Sequence, residues 1–549
     1  MFKKLFLTLS MILSGTCLVL AQQSPKELGL QTITGNALQA QLEFLASDWT
    51  TGRDAGSAGE FMAGDYIASL FKIIGLQPGG DPINRYRSRS DSRQSSSTFG
   101  NRSYFQNFNL LETSTGDEQS ARLIKQTSGG FQSIDLEYQV DYSISSGLIP
   151  GTTEAPLVFV GYGLSDVKGG IDEYKKLDVN GKIIVRLEGY PGWRDPESKN
   201  FERYRALAGR RSFQINRIKD SLALAKGAIG VIEIQSNATD NFSTPDNLPF
   251  RYNQSNWEGE EPFRPAGRVR LSLPPTEIPN ILTQITLSKR ILNTILSDAG
   301  INPDEYERQA ATSKPKLTGT LNDYSLHYTT TINSRWIRVR NIIGVLEGED
   351  TENCIVVGAH YDHVGQVRGF IYNGSDDNAS GTVGIISIAR AMAASGVKPK
   401  TTVIFCAWTS EEKGLLGSAY YANNPLIKNI RGYMNYDMIS RTDLDDPSGM
   451  KCDFNYSSGT PIFRELTEKH ITEYGLKLDM AYQSSPRPSG GSDFSNFSKK
   501  GIPIFLIHGK FTPDYHQYTD HADKAVMPYF TDIVRLGYLN IFELANNQW

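Results

Sequence analysis

From Asn341 to the C-terminus, short apolar runs alternate with amphipathic segments. That alternation restricts this part of the chain to an α/β architecture, a mixed and largely parallel sheet flanked by helices. Ile342–Leu346, Cys354–Ala359, Thr402–Trp408, Gly432–Asp437 and Ile502–His508 read as strands bounded by turns, and helices are expected over Ser380–Ser395 and Leu415–Ala422. In open sheets of this class, ligands collect outside the carboxyl ends of the strands. The polar residues obey that rule. Cys354-Ile-Val-Val-Gly-Ala runs into His360-Tyr-Asp362, Val403-Ile-Phe-Cys-Ala-Trp-Thr-Ser into Glu411-Glu412, and Gly432-Tyr-Met-Asn-Tyr into Asp437. A glycine-bounded loop, Asn373–Gly381, carries Asp376 and Asp377 just before a helix, and Tyr515-His516 follows the last strand. One sheet edge can gather them all.

Each motif alone has a plainer reading. His360 and Asp362 fit a hydrogen-bonded loop pair, Ser410-Glu411-Glu412 fits a helix cap, and Asp376-Asp377 fits a turn. Their common address favours a metal site instead. Two histidines with four or five carboxylates are too hard a set for copper or iron–sulfur chemistry and suit zinc, with manganese or cobalt as substitutes. A bridging carboxylate suits a two-metal hydrolytic site. In Glu411-Glu412, adjacent side chains at a helix start diverge, so one can bind metal while the other serves as general base.

Composition removes competing classes. Four cysteines in 549 residues exclude a disulfide-stapled scaffold and a thiolate zinc array, and Cys354 and Cys406 lie in apolar runs as small buried hydrophobes. Lys plus Arg (56) nearly balances Asp plus Glu (60), so no global field draws the chain to nucleic acid.

The N-terminal Met1–Ala21 has a cationic start, an apolar stretch and a small residue at its end, the pattern of an export signal. The mature chain is therefore expected near Gln22, in a periplasmic or extracellular space, with no membrane span. Ser14-Gly-Thr before Cys17 is a poor context for lipid attachment. Core helices are expected between Gly35 and Leu76, separated by the glycine loop Thr51–Gly59, and a serine- and arginine-rich loop covers Asn84–Arg102. Pro156–Gly161, Lys182–Leu187 and Ile229–Ile234 are β-branched runs of a β-rich module with its own core, with a helix over Phe213–Lys226.

Together, His360-Tyr-Asp-His, Ser375-Asp-Asp-Asn-Ala-Ser-Gly, Thr409-Ser-Glu-Glu-x-Gly-Leu-Leu-Gly-Ser, Asn435-Tyr-Asp-Met and Tyr515-His516 resemble, in order and spacing, the di-zinc aminopeptidase family that includes leucyl aminopeptidases and glutamate carboxypeptidase II. Thr51-Gly-Arg-x-Ala-Gly is similar to the family's N-terminal helix region. Val158-Phe-Val-Gly-Tyr-Gly with Leu177-Asp-Val-Asn-Gly-Lys-Ile resembles its inserted protease-associated module. The resemblance implies a zinc exopeptidase fold laid out as a signal peptide (1–21), the N-terminal part of the peptidase domain (22–130), the insert (131–310) and the main peptidase domain (311–549). It implies two zinc ions, one bound by His360 and Asp437, the other by Glu412 and His516, with Asp377 bridging. Glu411 is then the base, Asp362 the acceptor for the second His360 nitrogen, and Tyr515 an oxyanion donor. A cis Asp377–Asn378 bond is implied as well. The chain departs from the family pattern at Phe494, where relatives often carry a cleft histidine. His363, His508 and His521 match no ligand position and are expected to be structural or rim residues.

The expected activity is hydrolysis at a terminus of a peptide or dipeptide. Cleft carboxylates welcome an α-amino group, whereas a free carboxylate needs a cation such as Arg85, Arg87, Arg89 or Arg487. An aminopeptidase is favoured over a carboxypeptidase or dipeptidase. A single-zinc glutaminyl cyclase and a non-catalytic binding protein complete the alternatives. Arg203, Arg205, Arg210 and Arg211 of the insert bear either on substrate length or on solubility and docking.

Overall fold

The alternation after Asn341 forms a sheet whose four central strands run parallel. In the computed structural model, residues 23–83, 99–116, 118–145, 150–166, 171–208, 213–235, 269–275, 280–312, 320–367, 369–442, 445–446 and 448–549 are described. The stretch expected to be an export signal, most of the serine/arginine loop with Arg85, Arg87 and Arg89, and Arg210 and Arg211 of the expected insert lie outside them. Two units emerge, Met1–Asn107 with Val339–Trp549, and Phe108–Arg338.

The first unit carries helices α1 (Pro25–Gln31), α2 (Gly35–Leu45), α3 (Ala58–Ile74), α4 (Gly381–Ala394), α5 (Leu416–Asn423), α6 (Ile462–Tyr474), α7 (Phe494–Lys499) and α8 (Met527–Asn546). Its strands are β1, the end of Ile332–Leu346, then β2 (Asp350–His360), β3 (Thr401–Trp408), β4 (Asn429–Asp437), β5 (Lys451–Ser457), β6 (Asp479–Ser485) and β7 (Ile504–His508). The order is β1-β3-β2-β4-β7-β5-β6. β3, β2, β4 and β7 are mutually parallel, whereas β1 and β5 run antiparallel to β3 and β7.

The continuous apolar runs follow from burial on both faces. Successive side chains alternate between two cores. Ile355, Val357 and Ala359 of β2 with Val403, Phe405 and Ala407 of β3 face the core built with α2, α3, α4 and α8. Cys354, Val356, Ile404, Cys406 and Trp408 face the other, with Tyr433, Phe494 and Phe497. Cys354, Cys406 and Cys452 are buried free thiols, as small apolar side chains should be. The 11-residue α2 and 17-residue α3 start on Thr34 and Ser57, whose side chains accept the amides of Ala37 and Glu60.

Among the described residues, the second unit contains an eight-stranded sheet in the order 130–136, 120–127, 324–330, 151–159, 183–187, 230–234, 283–287, 142–145. Strands 151–159, 183–187, 230–234 and 283–287 are parallel. Its boundaries differ from the expected 131 and 310 because strand 120–127 pairs with 130–136 and with 324–330. Those segments flank the expected insert in sequence and close its sheet by long-range pairing.

Candidate metal centre

The parallel register aligns the carboxyl ends of the strands: His360 pairs opposite Trp408, two residues short of Ser410, and Asp437 opposite His508. The chain turns sharply beyond these ends. Ser410, Leu415, Met438 and His516 all adopt positive φ, as side chains are re-aimed at a shared point. Glu411 and Glu412 do not open a helix as expected. They occupy the turn before α5, and their divergence comes from anchored amides: Glu411 N–H donates to Asp362 Oδ1 (3.0 Å) and Glu412 N–H to Asp362 Oδ2 (3.3 Å).

Two donor groups result. In one, His360 Nε2 lies 3.4 Å from Asp377 Oδ1 and 3.4 Å from Asp437 Oδ1. In the other, His516 Nε2 lies 3.0 Å from Asp377 Oδ2 and 3.1 Å from Glu412 Oε2. Asp377 thus presents one oxygen to each. Glu411 stands beside the first group, with Oε2 3.9 Å from His360 Nε2. The Asp377–Asn378 peptide is cis.

The set fits cations. Donors about 2.0–2.1 Å from a tetrahedral zinc are separated by about 3.3–3.4 Å, which the His360 distances match. The local charge makes the same demand. Burial opposes ionisation of His516, yet Asp377 and Glu412 raise it to about 10. Burial and Asp377 push Glu412 up, but His363 and His516 prevail and hold it at about 2. Glu411 behaves oppositely: burial pushes its carboxyl well above the usual range, Glu412 and Asp437 add to this, and His360 only opposes it. Of the two adjacent glutamates, the neighbouring histidines hold the Glu412 carboxyl low, whereas burial pushes that of Glu411 up.

One expected contact changes. The Asp362 carboxylate does not take the second His360 proton: its Oδ1 is 3.8 Å from Nδ1, while the Asp362 carbonyl is 3.2 Å away. The carboxylate is instead committed to the Glu411 and Glu412 amides. Asp362→Ala at pH 8 is therefore expected to leave one buried and one partly buried N–H group without this acceptor and to cost about 2–4 kcal/mol, readable as a lower denaturant midpoint. His363, expected to be structural or on the rim, is fully buried, with Nδ1 2.9 Å from Glu412 Oε1 and 3.9 Å from Asp377 Oδ2. The His-x-x-His spacing on the turn leaving β2 is the signal that brings it there.

Tyr515, 37% exposed, stacks on His516 at 3.9 Å, with Phe511 4.8 Å from its ring. Burial and the neighbouring carboxylates push its phenol above the usual range, so the hydroxyl stays a donor. Phe494 is 4% exposed in the apolar core, which gives the missing cleft histidine a packing role in its place. Arg487 is exposed. Sequence reasoning assigned no role to Asp520, whose Oδ2 accepts the amides of Asp376 (2.9 Å) and Asp377 (3.3 Å), or to Asp493, a buried carboxyl that burial pushes up to about 7.

Residues 341–536 match the model of Peptidase family M28. Leucine aminopeptidase 2 of Trichophyton rubrum is 30% identical over 213 residues, 37% of this chain and 39% of that protein. Aminopeptidase Y of Saccharomyces cerevisiae is 31% identical over 185 residues, 33% of this chain and 32% of that protein. The matched stretch thus spans less than half the length of these curated relatives. Among solved structures, an aminopeptidase from Aneurinibacillus sp. strain AM-1 shares the fold over 95% of this chain and 97% of its own, with a TM-score of 0.53 at 18% identity.

Proposed function

Because residues 341–536 match the model of Peptidase family M28, we propose that the chain is a zinc-dependent aminopeptidase that uses two zinc ions and Glu411 as its base. The observation that carries this reading is the pair of donor groups meeting on the two oxygens of Asp377, with Glu411 alongside. His360 and Asp437 would hold one ion and Glu412 and His516 the other, with Asp377 contributing to both. When bound, the ions polarise a scissile carbonyl and make a water molecule more acidic.

The chain's residues supply the rest. Glu411 takes the proton of the attacking water and returns it to the leaving amine, a shuttle suited to a carboxyl whose protonated form is favoured by its surroundings. Tyr515 points a donor at oxygen charge developing on the former carbonyl. Asp362 fixes the backbone from which Glu411 and Glu412 diverge. The site's carboxylates favour a cationic α-amino group over a free carboxylate, and the relatives named above are aminopeptidases.

Export of the mature chain from Gln22 onward is part of the same proposal, and no described helix is long and apolar enough to cross a membrane. The unit 108–338 stands as the inserted protease-associated module. The test is mass spectrometry of a peptide pool containing N-blocked and C-amidated members. Shortening from free N-termini, abolished by a chelator and restored by zinc, is expected. Shortening from C-termini overturns the direction, and trimming that persists after chelation overturns the metal chemistry.

A further inference from the structure

The glycine loop between α2 and α3 contains one residue that the proposed chemistry leaves unused. Arg53 is fully buried at a positive φ of 52°. Among the described residues its guanidinium bonds to backbone carbonyls: Nε donates to that of Tyr361 (2.7 Å), Nη1 to those of Leu45 and Asn373 (2.7 Å for the latter), and Nη2 to that of Gly374 (2.7 Å). Tyr361 lies between His360 and Asp362 in sequence. Asn373 and Gly374 enter the loop that presents Asp376 and Asp377.

The contact is close on both sides. The Arg53 carbonyl accepts the His363 amide at 3.1 Å. A Cβ on Gly52 would stand 2.3 Å from the Gly365 carbonyl oxygen and 2.6 Å from that of Tyr372, so only glycine passes between the two segments. Asn373 is tied further, its side chain donating to Asp48 at 2.9 Å.

We propose that Arg53 is a positioning residue of the metal centre: its planar fork spans the segment carrying His360 and the segment carrying Asp377 and fixes the separation of these two ligands. A guanidinium presents donors in one rigid plane, so it sets distances between several carbonyls at once, which the point-like ammonium of a lysine does not. Because Asp377 serves both donor groups, an error in that separation reaches both ions. The charge acts in the same direction. Burial lowers the Arg53 pKa to about 10, while Asp362, Asp520, Asp377 and Glu412 oppose that loss, so the cation stays in place behind the acidic cluster.

This inference rests on the two-metal reading, and the experiment separates them. Wild-type protein, Arg53→Lys and Arg53→Gln are stripped of metal, checked for cooperative unfolding and titrated with cobalt(II) against a chromophoric chelator, with the visible absorption of the bound cobalt recorded. The expected result is cooperative unfolding in all three, an affinity about 10–100-fold weaker in Arg53→Gln, as for other groups that hold ligands rather than metal, a shifted cobalt spectrum, and partial recovery in Arg53→Lys. Variants that fold and match the wild-type affinity and spectrum overturn the positioning role and leave the metal reading standing. Loss of cooperative unfolding in both variants also overturns it, by assigning Arg53 to the fold as a whole. A wild-type protein that binds no cobalt removes both.

Discussion

Glu411→Gln is expected to lower kcat by about 10²–10⁴-fold, the range a positioned general acid–base contributes, while metal content per chain stays at the wild-type value. The geometry separates the two effects. Glu411 stands 3.9 Å from His360 Nε2, beyond the 3.4 Å separations of Asp377 and Asp437 from the same atom. Its backbone amide, held by Asp362 at 3.0 Å, is untouched by the substitution. Glutamine keeps the shape and cannot take a proton from water. Burial already disfavours the Glu411 anion, so removing the charge should leave the thermal midpoint equal or higher. Metal analysis and single-turnover kinetics on the same preparation check both. Normal turnover dismisses the base assignment; loss of metal instead makes Glu411 a ligand.

Much of this cluster was readable in the sequence because its side chains sit at or just beyond the carboxyl ends of strands buried on both faces. Cys354–Ala359 and Val403–Trp408 are apolar and buried throughout, so where apolarity stops, the sheet edge begins, and His360 and Glu411 follow at that edge. β5 was harder to read: its buried Cys452, Phe454 and Tyr456 alternate with more exposed polar residues in a short, asparagine- and aspartate-bearing run. α8 is buried nearly all round in its middle, which blurs the amphipathic stripe that marks a surface helix.

The supporting residues were harder still. Arg53 reaches Tyr361 and Gly374 across more than 300 residues, and Asp520 reaches the Asp377 amide across 143. Such partners leave no local periodicity. The reversal at Asp362 has a related cause: sequence shows that a carboxylate follows a histidine, but the path of the neighbouring turn decides whether it meets the imidazole or two backbone amides.

Asp377→Asn should abolish binding at both donor groups, whereas Asp437→Asn should abolish it at one. Asp377 Oδ1 faces His360 and Oδ2 faces His516, so each oxygen completes a different group. An asparagine offers one oxygen and turns N–H donors toward the other position, where a cation is repelled. Its backbone place is secured independently, since Asp520 accepts the amides of residues 376 and 377, so the loop need not collapse. Asp437 belongs to the His360 group alone, 3.4 Å from its Nε2, and its loss leaves Glu412, His516 and Asp377 in place. Elemental analysis after gel filtration is expected to find about two zinc ions per chain in the wild type, about one in Asp437→Asn and close to none in Asp377→Asn, with activity lost in both variants. One ion retained at full affinity in Asp377→Asn means that the two oxygens are not shared and that the ions bind independently. Two ions retained in Asp437→Asn removes Asp437 from the ligands and leaves His360 to be completed by another carboxylate, for which Glu411, 3.9 Å from Nε2, is a candidate.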